Sequence, residues 1–249
     1  KSLKALTKLL MKTVLPSLGL PLSYPRNVLH APDDMMGYQL PFIDIDAGFF
    51  QIKLLLRHVY GDKLTGLLGH DTMETLQLEL GVGQDIFSLP FYNWKVLATP
   101  CWMVQVWEFC YVYGFDIKIP GIKIPLLREN DEFLTNAFVD AGYKGEELRL
   151  INLCRKWLQV IRLSEIVTGD GRHIRSQARS GKEAIGKNGY NWPVEMKPSQ
   201  RCWKLWNSAI DKCFVDQLDR TKILRTRLGG WEVVPSEWEW YRDAESNRL

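Results

Sequence analysis

Residues 148–174 read LRLINLCRKWLQVIRLSEIVTGDGRHI, and no other stretch says as much about the fold. Its apolar residues recur at helical spacing, which predicts a long amphipathic helix over residues 146–163. A Gly-Asp-Gly turn follows, and then a basic run that contains Gly and Ser, RSQARSGKEAIGKNGYNW. A packed helix that leads into a cationic loop is typical of a surface that holds a polyanion, and it does not resemble an enzyme pocket.

Helical periodicity recurs on both sides of this stretch. It predicts helices over residues 1–15, 43–60, 100–113, 130–141 and 199–214, and one more inside 62–81. Polar residues mark three helix starts: Asp46, Thr99 before Pro100, and Asp71 with Glu74 as a capping box. The stretch GGWEVVPSEWEWYRD alternates apolar and polar residues, which predicts a hairpin over residues 229–243. The predicted fold is mainly α, an irregular assembly of about seven helices with a small C-terminal β-hairpin.

A Pro-interrupted link suggests how the chain divides. Residues 116–125, DIKIPGIKIP, alternate apolar and polar residues but contain two prolines, which is typical of a short edge strand or an extended link. We therefore predict an N-terminal helical part over residues 1–115. Residues 116–249 would then form a second helical part with the basic loop and the Trp-rich hairpin.

Charge is unevenly distributed along the chain, although the net charge is only +3. Residues 144–227 contain 18 Lys and Arg against 9 Asp and Glu, a net of +9. Residues 1–143 (12 against 15) and 228–249 (2 against 5) each carry −3. A basic band between acidic flanks indicates contact with nucleic acid, and a solvated basic surface without a partner is the alternative.

Several classes of function are disfavoured by the sequence. Five cysteines without C-x-x-C spacing and four scattered histidines predict reduced thiols in an intracellular protein and no zinc site. No apolar run approaches the roughly 20 residues that cross a bilayer. Phosphate-binding glycine loops and a nucleophile elbow are absent, so we expect no cofactor, no small-molecule substrate and no catalysis. The adjacent pair Asp33-Asp34 is typical of a solvated turn.

The candidate nucleic-acid contacts are the basic residues of the central helix and of the loop that follows it. They are Arg155, Lys156, Arg162, Arg172, Arg175, Arg179, Lys182 and Lys187. Gly169-Asp170-Gly171 fits either a tight turn or a phosphate-binding nest. Trp203 and Trp206 share a helix face with Ile210 and Phe214, which favours burial over a role in base stacking.

An ordered set of phrases carries a family resemblance: YPRNVLHAPDDMMGYQLP, ATPCWMVQVWEF, LLRENDEFL, ELRLINLCRKWLQVIRLSEIVTGDGRHI, NWPVEMKPSQRCWKLWNSAI and LGGWEVVPSEWEWY. Together they resemble the region downstream of the polymerase palm in reverse-transcriptase proteins of retrotransposons, of the diatom and algal type. The resemblance implies a thumb-like or post-polymerase region that grips RNA or DNA. It also implies that the palm, with its Tyr-x-Asp-Asp turn, precedes Lys1.

The sequence and the resemblance lead to one expected function. We expect a non-catalytic, nucleic-acid-gripping C-terminal fragment of a retroelement reverse transcriptase, in the nucleus or cytoplasm. Its partners would be the RNA or DNA backbone and the upstream palm, with no membrane. The alternative is a helical protein-interaction or structural domain that does not bind nucleic acid.

Overall fold

A computed structural model describes residues 3–61, 64–119, 124–186, 188–216, 218 and 221–232. These residues form ten α-helices, four short 3₁₀ turns and isolated β-bridges, without any β-strand. The helices are α1 (Leu3–Ser17), α2 (Arg26–His30), α3 (Ile43–Val59), α4 (Leu64–Leu80), α5 (Phe91–Trp94), α6 (Trp102–Tyr113), α7 (Leu134–Asp140), α8 (Gly145–Leu158), α9 (Ser176–Ser180) and α10 (Gln200–Phe214).

The mainly helical fold is confirmed, with more helices than the predicted seven. The three additional helices, α2, α5 and α9, have only five, four and five residues, so they are too short to show a helical period. The predicted C-terminal hairpin is not shown. Among the described residues 229–232, only Trp231 forms a bridge, to Arg128, and residues 233–243 lie outside the described part of the chain.

Packing moves several helix ends away from the predicted positions. Helix α3 begins at Ile43, before Asp46, and α4 begins at Leu64, so Asp71 lies inside a helix and does not cap one. Helix α6 begins at Trp102 after Cys101, because Thr99 has another partner. The Thr99 backbone N–H and hydroxyl donate to the carboxylate of Glu79 at 2.8 and 2.5 Å.

Helix α8 is shorter than predicted. It ends at Leu158 because Gln159 adopts a left-handed backbone conformation (φ 58°), so residues 160–163 leave the helix. The Gln159 N–H bonds to the carbonyl of Lys156 at 3.0 Å, and Val160 bonds back to the carbonyl of Arg155 at 3.2 Å. Glycine usually occupies this position, and its absence explains why the sequence did not reveal the helix end.

By their internal contacts, the residues form two compact units, Lys1–Gly66 and Leu67–Leu249, whereas the sequence predicted a division between residues 115 and 116. In the first unit, α1 packs against α3, and the Thr7 hydroxyl donates to Asp44 at 2.9 Å. A small core of Met11, Leu15 and Leu29 lies beneath them.

The second unit is organised around α8, which packs against α7, α10 and the 3₁₀ turn Lys95–Leu97. Helix α10 contributes Trp206, which is fully buried, as predicted from its spacing. The same prediction was wrong for Trp203, which is only partly buried. The rings of Phe138 and Phe214 meet in the same aromatic cluster, 6.1 Å apart, and Phe138 lies 5.7 Å from the Trp206 ring. Burial of these rings supplies much of the apolar surface that stabilises the unit.

Candidate nucleic-acid interface

The Gly-Asp-Gly motif forms a tight turn on the surface. Val167 and Ile174 form an antiparallel bridge, and the Thr168 N–H bonds to the carbonyl of His173 at 2.8 Å. The Asp170 carboxylate accepts the Thr168 hydroxyl at 2.5 Å and the Arg172 N–H at 3.1 Å. These bonds hold the pKa of Asp170 below its usual value. Because an anion already occupies the turn, the turn interpretation suits the geometry better than the phosphate nest.

Arg128 fixes this turn to a distant part of the chain. Its guanidinium donates to the carbonyls of Gly229 at 2.9 Å, Gly169 at 3.2 Å and Leu228 at 3.3 Å. Burial lowers its pKa, and the ring of Trp231 lies 5.3 Å from the guanidinium carbon. The motif LLRENDEFL therefore has a structural role, which the basic band did not predict.

Residues 172–182 follow the turn, and we call them the arm. Residues 221–228 run beside the start of the arm. Ile223 forms an antiparallel bridge with His173, and the Leu224 N–H bonds to the carbonyl of Arg172 at 2.8 Å. On the other side, the Arg225 N–H bonds to the carbonyl of Phe214 at 2.8 Å. The cations of TKILRTR thereby come close to those of the arm. The spacing of Arg225 and Arg227, two positions apart, puts both on one face of an extended segment and was the sequence signal for this arrangement.

Six cations from these segments form what we call the basic surface: Arg172, Arg175, Arg179, Lys222, Arg225 and Arg227. All but Arg179 are exposed, and Arg179 is partly buried. The first three belong to the predicted set, whereas the last three lie on the same surface and were missed. Burial is the largest cause of the lowered pKa of Arg128. Arg175 and Arg227 are close enough to Arg128 for their positive charges to lower that pKa further.

Hydrogen bonds to main-chain carbonyls orient three of these arginines. Arg175 donates to Val167 at 2.8 Å, Arg225 to Lys212 at 3.1 Å and Arg227 to Asp170 at 3.0 Å. A guanidinium has five N–H donors, so such a bond fixes the group and leaves other donors for a phosphate. The arginines are therefore positioned before any ligand arrives.

Acidic residues partly neutralise the positive charge of the basic surface. Asp211 pairs with Arg179 at 2.6 Å and lies 3.9 Å from the ammonium of Lys222. Asp170 lies in the turn, and the N–H of Asp216 bonds to the carbonyl of Ile223 at 2.9 Å. A fourth carboxylate, the exposed Glu132, is close enough to Arg225 for their charges to interact. Six cations against four carboxylates leave an excess of two positive charges.

Arg155 does not belong to any surface, because it is fully buried. Its guanidinium donates to the carbonyls of Leu78 at 2.5 Å, Glu79 at 2.8 Å and Val160 at 3.0 Å. It also bonds to Asn152 at 2.7 Å. Burial lowers its pKa. Arg155 therefore satisfies the last carbonyls of α4, where a cation also suits the helix dipole, and it presents no group to a phosphate.

Lys156 and Arg162 are likewise removed from the predicted site by burial. Lys156 is 9% exposed and forms an ion pair with Glu195. Arg162 is 3% exposed and donates to the carbonyl of Pro125 at 2.7 Å and to Glu165 at 3.3 Å. Lys156 thereby holds the loop around Glu195 against α8, and Arg162 joins Pro125 to the segment that follows α8.

The remaining predicted contacts are two lysines. Lys182 is exposed beyond the end of α9. Lys187 lies outside the described residues. The predicted set of eight thus separates into three buried structural cations, four exposed or partly buried residues on the arm, and one that the structure does not describe.

The described residues contain no group of three or more His, Cys, Asp or Glu side chains placed to hold a metal ion. None of the helices in the described part of the chain is both long and apolar enough to cross a membrane. A comparison with models of known families, with curated proteins and with solved structures finds no match to this chain.

Proposed function

We propose that this chain binds the phosphate backbone of RNA or DNA on the basic surface, as a non-catalytic gripping region. The observation that carries the proposal is the convergence of six cations from two segments of the chain, the arm and residues 221–228. The resemblance to the region downstream of a retroelement palm supports the same function. In that setting the upstream palm would perform the chemistry in the nucleus or cytoplasm.

The geometry favours contacts to the backbone over readout of base identity. Three of the arginines are tied to main-chain carbonyls, which sets their direction along the surface. No helix of eight residues or more among the described ones carries these cations, so no long helix presents them to a groove. Phosphate contacts position a protein on nucleic acid and carry little sequence information. We therefore expect weak dependence on base sequence.

A salt titration tests the proposal. The triple variant Arg172→Gln, Arg175→Gln and Arg227→Gln removes three phosphate contacts. On duplex DNA it should flatten the log–log slope of affinity against salt by about 2.7, at roughly 0.9 per contact. The loss should be similar for unrelated sequences. Fluorescence anisotropy with labelled duplexes at several salt concentrations measures it.

A matched control variant carries Arg26→Gln, Arg57→Gln and Arg201→Gln, three exposed arginines outside the basic surface. It changes the net charge by the same amount and should keep the wild-type slope. Equal slopes for wild type and the first triple variant would refute the proposal. Equal losses in both triple variants would show attraction by net charge alone.

A second candidate function is protein interaction, and one observation favours it. In the first unit, α1 and α3 expose large apolar side chains, among them Leu9 at 64% and Phe50 at 70%. Apolar side chains exposed in such number are typical of surfaces that pack on another protein. The same titration separates the candidates, because an interaction module predicts weak nucleic-acid binding that the first triple variant leaves unchanged.

A further inference from the structure

A second feature of the Leu67–Leu249 unit is a groove between α5 and the turn that joins α7 to α8. Its volume is about 610 Å³, within the range of ligand sites. One wall comes from Tyr92, Asn93 and Lys95, and the other from Tyr143, Lys144 and Gly145. The groove does not include any residue of the basic surface.

Cations line both walls of the groove. Lys95 and Lys144 are exposed, and no Asp or Glu is among the lining residues. A third cation, Lys212, lies at the rim, where its ammonium sits 4.8 Å from the centre of the Tyr143 ring and donates to the carbonyl of Ala141 at 2.9 Å. Two exposed carboxylates, Glu146 and Glu147, directly follow the lining residue Gly145. Glu146 is paired with Arg149 at 2.7 Å, and the charge of Glu147 acts on Tyr143 from outside the lining. The groove therefore attracts an anion.

Tyr92 supplies a fixed aromatic surface beside these cations. Its ring meets Phe91 and Tyr111 edge-on, with centroids 5.5 Å away in each case, and Lys95 lies 4.9 Å from its centroid. Despite these contacts, 55% of Tyr92 is exposed. An aromatic ring that is held in place yet open to solvent can stack on a base at little cost in conformational entropy.

Lys212 also connects the groove to the basic surface. Its carbonyl accepts a hydrogen bond from the Arg225 guanidinium at 3.1 Å, while its side chain reaches Tyr143. A polynucleotide that lies on the basic surface therefore has the groove within reach. This continuity favours a nucleotide that belongs to a strand over a free one.

We propose that this groove binds an unpaired nucleotide of a single strand, with its base stacked on Tyr92 and its phosphate held by Lys95 and Lys144. The choice of a polynucleotide rests on the proposed function. A duplex keeps its bases stacked inside, so it reaches the basic surface but leaves the groove empty. The groove thus adds a preference for single strands that the arginines alone do not provide.

The test compares Tyr92→Leu with wild type on oligodeoxyadenylate, on the same strand paired with oligodeoxythymidylate, and on free adenosine monophosphate. The variant should lose affinity for the single strand by roughly 5- to 150-fold, the equivalent of one stacked base. Its affinity for the duplex should not change. Tyr92→Phe keeps the ring and should restore single-strand binding, and Lys95→Gln should flatten the single-strand salt slope by about 0.7.

Tyr113→Leu is the control, because Tyr113 is an exposed tyrosine (46%) whose ring contacts Phe109 and Phe115 away from the groove. Thermal melting shows that each variant is folded. Unchanged single-strand affinity in folded Tyr92→Leu would overturn the groove assignment, and the proposed function would stand if the arginine triple variant still lost binding. If the arginine triple variant kept wild-type affinity while Tyr92→Leu lost single-strand affinity, the proposed role of the basic surface would be refuted and the groove assignment would be supported. Binding of adenosine monophosphate as tightly as the strand would overturn the assignment to a strand.

Discussion

Gly81 lies against the guanidinium of Arg155: a Cβ atom on Gly81 would be 2.6 Å from the guanidinium carbon. Gly81 has a left-handed backbone (φ 72°), and its N–H bonds to the carbonyl of Gln77 at 2.7 Å, which ends α4. The missing side chain lets Arg155 reach the carbonyls of Leu78 and Glu79. The end of α4 and the buried charge of α8 therefore depend on one glycine.

Gly81→Ala should be strongly destabilising. The left-handed backbone costs roughly 1–2 kcal/mol for a non-glycine residue. Overpacking against Arg155 and against the Thr135 hydroxyl, which would be even closer to the new Cβ atom, adds roughly 1–3 kcal/mol. Gly114 is a matched control, with φ 71° at the end of α6 and nothing within 4 Å of the position that a Cβ atom would take. Gly114→Ala should lower the free energy of unfolding only by the cost of the left-handed backbone, roughly 1–2 kcal/mol. Urea denaturation measures both, and equal losses would contradict the close contacts of Gly81 with Arg155 and Thr135.

Arg155→Met should lower the free energy of unfolding by roughly 3–5 kcal/mol, because the carbonyls of Leu78 and Val160 and the amide oxygen of Asn152 lose the donor that Arg155 supplies. The Glu79 carbonyl keeps one donor, the side-chain amide of Asn152 at 2.8 Å. Arg149→Met is the control, since Arg149 lies on the same helix but is exposed and pairs with Glu146 at 2.7 Å. The control should have a nearly wild-type melting temperature. A nearly neutral Arg155→Met would show that the guanidinium adds little to the fold.

The two tryptophans of α10 should differ in their contributions. Trp206 is fully buried and donates its indole N–H to the carbonyl of Ala178 at 3.0 Å, so Trp206→Ala should cost roughly 3–5 kcal/mol. Trp203 is partly exposed and rests on Gly181, so Trp203→Ala should cost about half as much. Thermal melts with far-ultraviolet circular dichroism rank them. A larger loss at Trp203 would contradict this assignment of the core.

Cysteine reactivity should follow burial and pH. Burial raises the pKa of Cys110 and of Cys213 to about 11, and it raises the pKa of Cys154 further. At pH 8 iodoacetamide should therefore label the partly exposed Cys101 first. Labelling of Cys213, also partly exposed, should increase as the pH approaches 11. Mass spectrometry of the native protein identifies the labelled residues, and rapid labelling of Cys154 at pH 8 would contradict its burial.

The same pKa shifts set the sign of an alkaline effect on stability. The folded state retains the thiol protons up to about pH 11, whereas the unfolded state releases them near 9.0. Unfolding in that window releases protons, so the thiol contribution to stability falls as the pH rises. Cys213→Ala should make this fall less steep between pH 9 and 11, as measured by urea denaturation. An identical slope in the variant would contradict the shift.

The long helices were predictable because burial of one face imposes a period on the sequence. The periodicity of SQRCWKLWNSAIDKCF located α10 and the burial of Trp206. The end of α8 was not predictable, because Gln159 takes a conformation that neither its type nor its neighbours require. The start of α6 was missed because Thr99 binds Glu79, a residue 20 positions away.

The candidate site was predictable in part. The exposed arginines 172 and 175 lie where the basic run placed them, but net charge does not indicate which cations face inward. Arg155 follows Ile151 by four positions and precedes Leu158 by three, so the helical phase placed it on the apolar face. The helical position of Arg155 relative to Ile151 and Leu158 would have distinguished it from the exposed cations. Arg225 and Arg227 escaped notice because only the folded chain brings them beside Arg172.

The hydrogen bond between Arg128 and Gly229 joins residues 101 positions apart, and it has a consequence for the order of folding. Helices such as α8 form from local contacts, whereas the basic surface needs the closure of a very long loop before its segments meet. We expect the surface to appear only in the last steps of folding. A partly folded chain would then show native helix content while its affinity for nucleic acid was still missing.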